Sequence, residues 1–175
     1  MRVRELFPAD EVRARIAALA RRLARDYADQ PFAIVCITGG AVRFVDALVA
    51  ELARHGSRPE VRHVRARRSE GRELRAVEVE SFDPALFEGR DVLVVDDIAD
   101  EGATLRAVLG LLAEAETRSL RSAVLVDKRE SRREALRLDY VGFEVERGWV
   151  VGFGMDLDGR YRELDYVGRV VDDRF

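Results

Sequence analysis

Adjacent aspartates and a glycine turn follow a run of apolar residues in the middle of the chain. Residues 92–105 read VLVVDDIADEGATL, with Asp96 and Asp97 at the end of the apolar run and Gly102 in the turn that follows. Adjacent carboxylates can accept hydrogen bonds from sugar hydroxyls or hold a hydrated Mg²⁺. A glycine with positive φ can aim backbone N–H groups outward at the start of a helix, where they bind phosphate. The pattern favours a sugar phosphate ligand; the alternative is that the acids cap the next helix and the glycine only makes a tight turn.

Helical spacing and short apolar runs predict the elements that position these residues. Asp10 is a good N-cap for a first amphipathic helix, residues 41–54 predict a second that ends at His55–Gly56, and residues 103–115 predict a third. Short apolar runs predict strands: FAIVCI, DVLVV, SAVLV, and the weaker DYVGF and GWVVGF. Residues 61–80 predict a hairpin with a polar, arginine-rich tip. This alternation predicts one α/β domain over residues 1–175, with a mainly parallel central sheet flanked by helices.

Composition excludes several classes of protein. The chain has 175 residues and a formal charge of -3, so no basic field points to nucleic acid or an anionic membrane. The one cysteine, Cys36, lies in an apolar run and is interpreted as a buried hydrophobe. There is no apolar signal core and no stretch long enough to span a membrane, so we expect a cytoplasmic protein.

The central stretch resembles the 5-phosphoribosyl diphosphate (PRPP) motif of type I phosphoribosyltransferases. In that family two acidic residues end a hydrophobic strand, and a Thr-Gly-x-Thr-like loop binds the 5′-phosphate. The resemblance implies the type I fold with a small hood region, and ribose contacts from Asp96 and Asp97. The aspartate at position 100 is similar to that of the 6-oxopurine (hypoxanthine-guanine) branch, which implies that Asp100 lies by the purine N7 as general base. The implied 5′-phosphate loop consists of Glu101, Gly102, Ala103 and Thr104.

The resemblance continues downstream and in the first loop. VLVDKRE is similar to the family strand whose lysine contacts the 6-oxo group, which implies that role for Lys128. GWVVGFGMDLDGRYRELDYVG resembles the C-terminal segment of the family. The roles implied there are base stacking by Trp149, base-edge recognition by the Val150 carbonyl, Mg²⁺ ligation by Asp156 and pyrophosphate contact by Arg162. In ITGG, the backbone of Thr38 and Gly39 is implied to bind pyrophosphate.

The residues alone leave blander alternatives open at three of these positions. A lone tryptophan such as Trp149 is often core packing, Lys128 could be a surface lysine, and Asp156 could cap a loop.

Three departures from the family pattern concern the PRPP and pyrophosphate contacts. Glu101 stands where threonine is usual, and Thr38 where a basic residue is usual. The segment RRSEGRELR is shorter than the family's mobile loop and has no tyrosine. Its arginines Arg67, Arg68 and Arg72 either contact PRPP or form a solvated hairpin tip.

The preferred hypothesis is a Mg²⁺-dependent purine phosphoribosyltransferase with PRPP and a 6-oxopurine base or nucleotide as ligands. The alternative is a catalytically weakened paralogue that binds nucleotide in a regulatory role, because all three departures fall on PRPP or pyrophosphate contacts. The resemblance implies a homodimer or homotetramer, and we expect no nucleic acid partner.

Overall fold

The computed structural model describes residues 1–28, 30–68, 77–80, 82–131 and 136–171, which form nine strands and three α-helices. In chain order the strands are β1 (Arg2–Phe7), β2 (Phe32–Ile37), β3 (Glu60–Arg68), β4 (Val77–Glu80), β5 (Asp91–Ala99), β6 (Ser119–Asp127), β7 (Tyr140–Glu144), β8 (Trp149–Val151) and β9 (Val167–Val171). The helices are α1 (Ala9–Tyr27), α2 (Ala41–Arg54) and α3 (Ala103–Ala113). Short 3-10 helices cover Pro84–Phe87 and Arg129–Ser131.

Six strands form the main sheet, in the order β4-β3-β2-β5-β6-β7. Strands β3, β2, β5, β6 and β7 pair in parallel, and only β4 is antiparallel to its neighbour β3. The predicted α/β architecture with a mainly parallel sheet is therefore confirmed. Strand β5, which carries the aspartate pair, lies inside this sheet between β2 and β6.

The main sheet is buried on both faces by helices. Side chains alternate between the two faces of a strand, and those of β5 enter two different clusters. Leu93 and Val95 join a cluster with residues of α1 and α2, whereas Val92 and Val94 join a cluster with residues of α3. This double burial explains why the strand reads as a continuous apolar run.

A second, three-stranded antiparallel sheet has the order β1-β9-β8. It corresponds to the predicted hood region, but its strands β1 and β9 were not predicted. Both are short and interrupted by arginines, so neither has the continuous apolar run that marks the central strands of the main sheet. The ring of Phe7 stacks on Phe143 with 4.0 Å between centroids, which joins β1 to the main sheet at β7.

Helix termini agree with prediction in one case and differ in another. The predicted end of α2 is confirmed, since Gly56 has φ +80° and the N–H groups of His55 and Ser57 donate to the Leu52 carbonyl. The predicted N-cap Asp10 is wrong, because α1 begins at Ala9 directly after Pro8. Asp10 lies in the first turn of α1, where its negative charge interacts favourably with the positive end of the helix dipole. None of the helices in the described part of the chain combines the length and apolar character that crossing a bilayer requires.

The predicted hairpin is confirmed as the antiparallel pair β3 and β4. Its tip is not among the described residues. Arg72 therefore lies outside them, as do the side chains of Arg67 and Arg68.

Candidate active site

Polar residues meet at the carboxyl edge of the main sheet. Strands β2, β5 and β6 are parallel, with Cys36 opposite Val95 and Ala99 opposite Asp127, so their carboxyl ends lie side by side. In open α/β sheets this edge is where ligands bind. The polar residues placed there are Thr38 after β2, Asp96, Asp97 and Asp100 at the end of β5, and Lys128 after β6.

A cleft of about 250 Å³ opens between the ends of β2 and β5. Most of the residues that the resemblance implied for PRPP line it: Thr38, Asp96, Asp97, Glu101, Gly102, Ala103 and Thr104, together with Asp100. The fold therefore brings the acidic pair, the glycine turn and the first loop into one site. Of the implied PRPP residues, Gly39 and Arg162 lie outside the lining.

The glycine turn has the geometry expected of an anion cradle. Gly102 has φ +76° and is the residue before α3, whose first turn closes with Arg106 N donating to the Gly102 carbonyl at 3.0 Å. The first N–H groups of a helix have no partner within the helix, and they carry the positive end of its dipole. Residues 101–104 thus present backbone donors at the cleft, and Glu101 places a carboxylate-bearing side chain in the same wall.

The aspartate pair packs on the first loop. Asp96 Oδ1 accepts a hydrogen bond from Asp97 N at 3.0 Å, and Asp97 Oδ1 accepts one from Ile98 N at 2.9 Å. A Cβ atom added at Gly40 would lie 1.6 Å from Asp97 Oδ2. Only glycine at position 40 therefore leaves room for this carboxylate beside the Thr38–Gly40 loop.

Burial shifts the protonation of the pair. Burial raises the pKa of Asp96 well above its usual range, and the neighbouring Asp97 carboxylate raises it further. Burial also raises the pKa of Asp97, although hydrogen bonds from Asp96 and Ile98 and the positive charge of Arg162 offset part of that effect. The folded protein therefore favours a proton on this pair. A bound ligand that supplies hydrogen-bond donors or positive charge would instead favour the ionised carboxylates.

Lys128 and Asp100 form an ion pair beside the cleft. Lys128 Nζ lies 2.7 Å from Asp100 Oδ2, and the lysine side chain is only 9% exposed. The backbone N–H of Lys128 donates to the Ala99 carbonyl at 2.9 Å, which fixes the turn after β6 against the end of β5. The alternative of an ordinary surface lysine is therefore wrong. A nearly buried ammonium needs such a charged partner.

Asp156 and Arg162 form a second ion pair, with 2.6 Å between Asp156 Oδ1 and Arg162 Nη2. Asp156 Oδ2 also accepts from Gly159 N at 2.7 Å, so the loop-capping interpretation of Asp156 is confirmed as one of its contacts. Arg162 Nη1 donates to the Gly154 carbonyl at 2.8 Å. A Cβ atom at Gly154 would lie 2.2 Å from the Gly40 carbonyl oxygen, so this segment packs directly on the first loop.

Trp149 and Val150 lie apart from the cleft lining, in β8 of the small sheet. Trp149 is 57% exposed, which excludes the core-packing alternative and leaves a large ring face open for stacking. The side chain of Val150 is buried.

Sequence reasoning missed two glycines that shape the site. Gly40 accommodates Asp97, and Gly154 allows the C-terminal segment to reach Gly40. The Gly-Gly pair after β2 was a usable signal for Gly40, because a second glycine in a loop indicates a close approach. No local signal marks Gly154, whose contact is with a residue more than a hundred positions away.

Comparison with known proteins assigns the class of the chain. A family model described as "Phosphoribosyl transferase domain" matches residues 3–158, so the chain belongs to the phosphoribosyltransferase family. The hypoxanthine-guanine phosphoribosyltransferase of Mycobacterium avium is 36% identical over 172 residues, which cover 93% of this chain and 83% of that protein. The hypoxanthine phosphoribosyltransferase of Salmonella typhimurium is 34% identical over 172 residues, which cover 97% and 96% of the two chains.

Solved structures agree with this assignment. The hypoxanthine phosphoribosyltransferase of Trypanosoma cruzi in complex with the product IMP has a TM-score of 0.89 and 28% identity, covering 98% of this chain and 95% of that one. A hypoxanthine-guanine phosphoribosyltransferase from Bacillus anthracis has a TM-score of 0.84 and 26% identity, and the match covers 98% of this chain and 100% of that one. The predicted type I phosphoribosyltransferase fold is confirmed.

The raised pKa of Asp96 predicts a stability effect. We expect Asp96→Asn to increase the free energy of unfolding at pH 7 by about 1 kcal/mol, or about 2 to 4 °C in Tm, because it removes a half-buried charge next to Asp97. Asparagine keeps an oxygen that can accept from Asp97 N. Thermal unfolding from pH 4 to pH 8 measures the effect.

The pH dependence has a definite sign. A carboxyl whose folded-state pKa lies above its unfolded value destabilises the fold at high pH, and this penalty is lifted as pH falls through the folded pKa. The advantage of Asp96→Asn should therefore shrink as the pH approaches 4. A variant that is less stable than the native protein at pH 7 would contradict the cost assigned to Asp96.

Proposed function

We propose that the chain is a hypoxanthine/guanine-type purine phosphoribosyltransferase of purine salvage. It transfers ribose 5-phosphate from PRPP to N9 of a 6-oxopurine and releases pyrophosphate. The observation that carries the proposal is the cleft at the end of β5, where an aspartate pair, a glycine turn and the Asp100–Lys128 pair meet. The similarity to enzymes named for this activity supports it over nearly the whole chain.

Asp96 and Asp97 accept the ribose hydroxyls of PRPP, and the backbone of residues 101–104 binds its 5′-phosphate. Both groups line the same cleft, so a single sugar phosphate can reach them together. The developing positive charge of a ribosyl transition state is stabilised by nearby carboxylates. Gly39 binds pyrophosphate through its backbone at the neighbouring loop. The implied role of the Thr38 N–H is wrong, because that group donates to the Val64 carbonyl at 2.8 Å.

Asp100 and Lys128 recognise the purine. The carboxylate of Asp100 manages the proton at N7, and the ammonium of Lys128 faces the 6-oxo group. Their 2.7 Å ion pair supports this assignment, because a donor and an acceptor side by side match the adjacent O6 and N7 positions of a 6-oxopurine. Trp149 offers its exposed ring for stacking on the base, and the Val150 carbonyl reads the base edge.

The residues fit a magnesium ion of the kind that accompanies a diphosphate. No group of three or more side-chain ligands exists among the described residues, which excludes a cage made of their side chains alone. Mg²⁺ is instead commonly held by one or two carboxylates with substrate oxygens and water. Asp156 would ligate the ion, and Asp96 and Asp97 would bind its water shell. When bound, the ion neutralises the charge of the departing pyrophosphate.

The proposal extends to organisation. We propose that residues 1–175 act as one domain, that the protein is cytoplasmic, and that it assembles as a homodimer or homotetramer. Gel filtration with light scattering measures the assembly, and a monomer would contradict that part.

Pyrophosphate release tests the function. We expect the native protein to release pyrophosphate from PRPP and Mg²⁺ with at least one of hypoxanthine, guanine and xanthine. The base that is accepted defines the specificity. Absence of turnover with all three bases, combined with retained affinity for a purine nucleotide, would instead favour the regulatory nucleotide-binding alternative.

Glu101→Thr should lower the KM for PRPP by about tenfold or more. A carboxylate about 5 Å from a phosphate oxygen repels each unit charge by about 3 kcal/mol at an effective dielectric constant near 20, and solvent screening reduces this. Glu114→Thr, an exposed acid beyond the other end of α3, serves as the matched control. An unchanged KM in Glu101→Thr would contradict the repulsion and would favour the alternative, in which the Glu101 side chain points to solvent and the backbone of residues 101–104 still binds the phosphate.

Asp100→Asn should reduce kcat by ~10² or more and leave the Kd for PRPP within about twofold, as for a lost general base. Asparagine can still accept a hydrogen bond from Lys128, but it removes the charged partner of the lysine, so thermal unfolding must show that the variant is folded. Asp10→Asn, an exposed acid of α1, is the control. Undiminished turnover in Asp100→Asn would remove Asp100 from the proposed role.

A further inference from the structure

An arginine in the first turn of α2 joins this helix to the C-terminal segment. Arg43 Nη1 donates to the carbonyl oxygens of Arg162 at 3.0 Å and of Leu164 at 2.8 Å. Its guanidinium also lies over the ring of Phe153, 4.8 Å from the centroid. These contacts connect residues 119 and 121 positions apart in the chain, so they fix two distant segments to each other.

The two carbonyls that Arg43 contacts are already part of a narrow backbone loop. The Arg162 carbonyl accepts from Gly154 N at 3.0 Å, and the Leu164 carbonyl accepts from Phe153 N at 2.8 Å. A carbonyl oxygen has two lone pairs, so each can accept the backbone donor and Arg43 together. Arg43 therefore anchors the base of the loop that carries Asp156.

The anchor extends to the charged side chains of the loop. The backbone of Arg162 is held by Arg43, while its guanidinium contacts Asp156 Oδ1 and the Gly154 carbonyl. Helix α2 itself begins directly after the Thr38–Gly40 loop, and Gly154 packs on the Gly40 carbonyl. One side chain thus fixes the loop of Asp156 and Arg162 relative to the Thr38–Gly40 loop.

We propose that Arg43 is a positioning residue for pyrophosphate, an inference that rests on the proposed function. It holds Arg162 and Asp156 at a fixed separation from the Gly39 backbone, so that both sides of the pyrophosphate site are preformed. A preformed site avoids the ordering cost of binding. The chain lacks a basic residue at position 38, so its pyrophosphate affinity depends more strongly on the placement of Arg162.

Separate binding measurements on two ligands test this role. We would measure the Kd of pyrophosphate with Mg²⁺ and the Kd of inosine monophosphate, which has no pyrophosphate group, for the native protein and for Arg43→Met. Methionine keeps an apolar side chain of similar reach and loses both hydrogen bonds. We expect pyrophosphate affinity to fall by about tenfold or more and inosine monophosphate affinity to change by less than about twofold.

Two further variants sharpen the result. Arg43→Lys keeps a cation that can donate to a carbonyl, and it should recover part of the lost pyrophosphate affinity. Arg54→Met, at the other end of α2 where the arginine pairs with Glu51, should bind both ligands like the native protein. Thermal unfolding checks that each variant is folded. If Arg43→Met does not fold, the pyrophosphate affinity of Arg43→Lys is compared with that of the native protein to test the role of Arg43.

Three outcomes would overturn the inference. Native-like pyrophosphate binding in Arg43→Met would show that the loop needs no anchor. An equal loss for both ligands would show that Arg43 supports the fold in general and not the pyrophosphate side. A native protein that binds neither ligand would contradict the proposed function itself, and the inference with it.

Discussion

The site depends on two adjacent carboxylates kept at the buried end of a central strand. Burial and mutual repulsion both raise the pKa of Asp96, so the folded chain holds this pair at a cost in stability. Strongly perturbed carboxyl groups in a cleft are typical of functional sites. In the proposed function, a sugar with two hydroxyl donors and a hydrated divalent cation would supply hydrogen bonds and positive charge to this pair.

Much of the surrounding structure accommodates this pair. Gly40 leaves room for the Asp97 carboxylate, and Gly154 lets the C-terminal segment close on the same loop. That segment brings in the positive charge of Arg162, which offsets a small part of the rise in the pKa of Asp97 that burial causes. Lys128 forms its ion pair with Asp100 and not with Asp96 or Asp97. The three aspartates at the end of β5 therefore lie in two different electrostatic environments. The separation fits two ligand parts, a sugar phosphate and a base.

The parts of this arrangement that sequence predicts are those with a local signal. The apolar run before Asp96 and Asp97 predicts a strand buried on both faces, and the glycine at 102 predicts a positive φ, because each depends on neighbouring residues. Resemblance placed Asp100 and Lys128, which the structure joins at 2.7 Å. The prediction of Asp10 as the N-cap of α1 was wrong because the helix begins at Ala9, directly after Pro8.

Contacts between distant segments had no signal that local reasoning could use. Strands β1 and β9 pair with each other across the length of the chain, and arginines interrupt the apolar residues of both. The same holds for Arg43, which is one of many arginines in the sequence and whose contacts are with carbonyls more than a hundred positions away. Tertiary contacts decide such elements, since strand propensity depends on the neighbours against which a strand packs.

Proton release on ligand binding tests the central claim most directly. Calorimetry of Mg²⁺ and PRPP binding in buffers of different ionisation enthalpy gives the number of protons released, and the difference between the native protein and Asp96→Asn isolates the pair. Because ligand donors and positive charge favour the ionised carboxylates, the native protein should release more protons than Asp96→Asn, with a maximum near the apparent pKa of the pair. Equal proton release from both proteins at every pH between 5 and 8 would contradict the account.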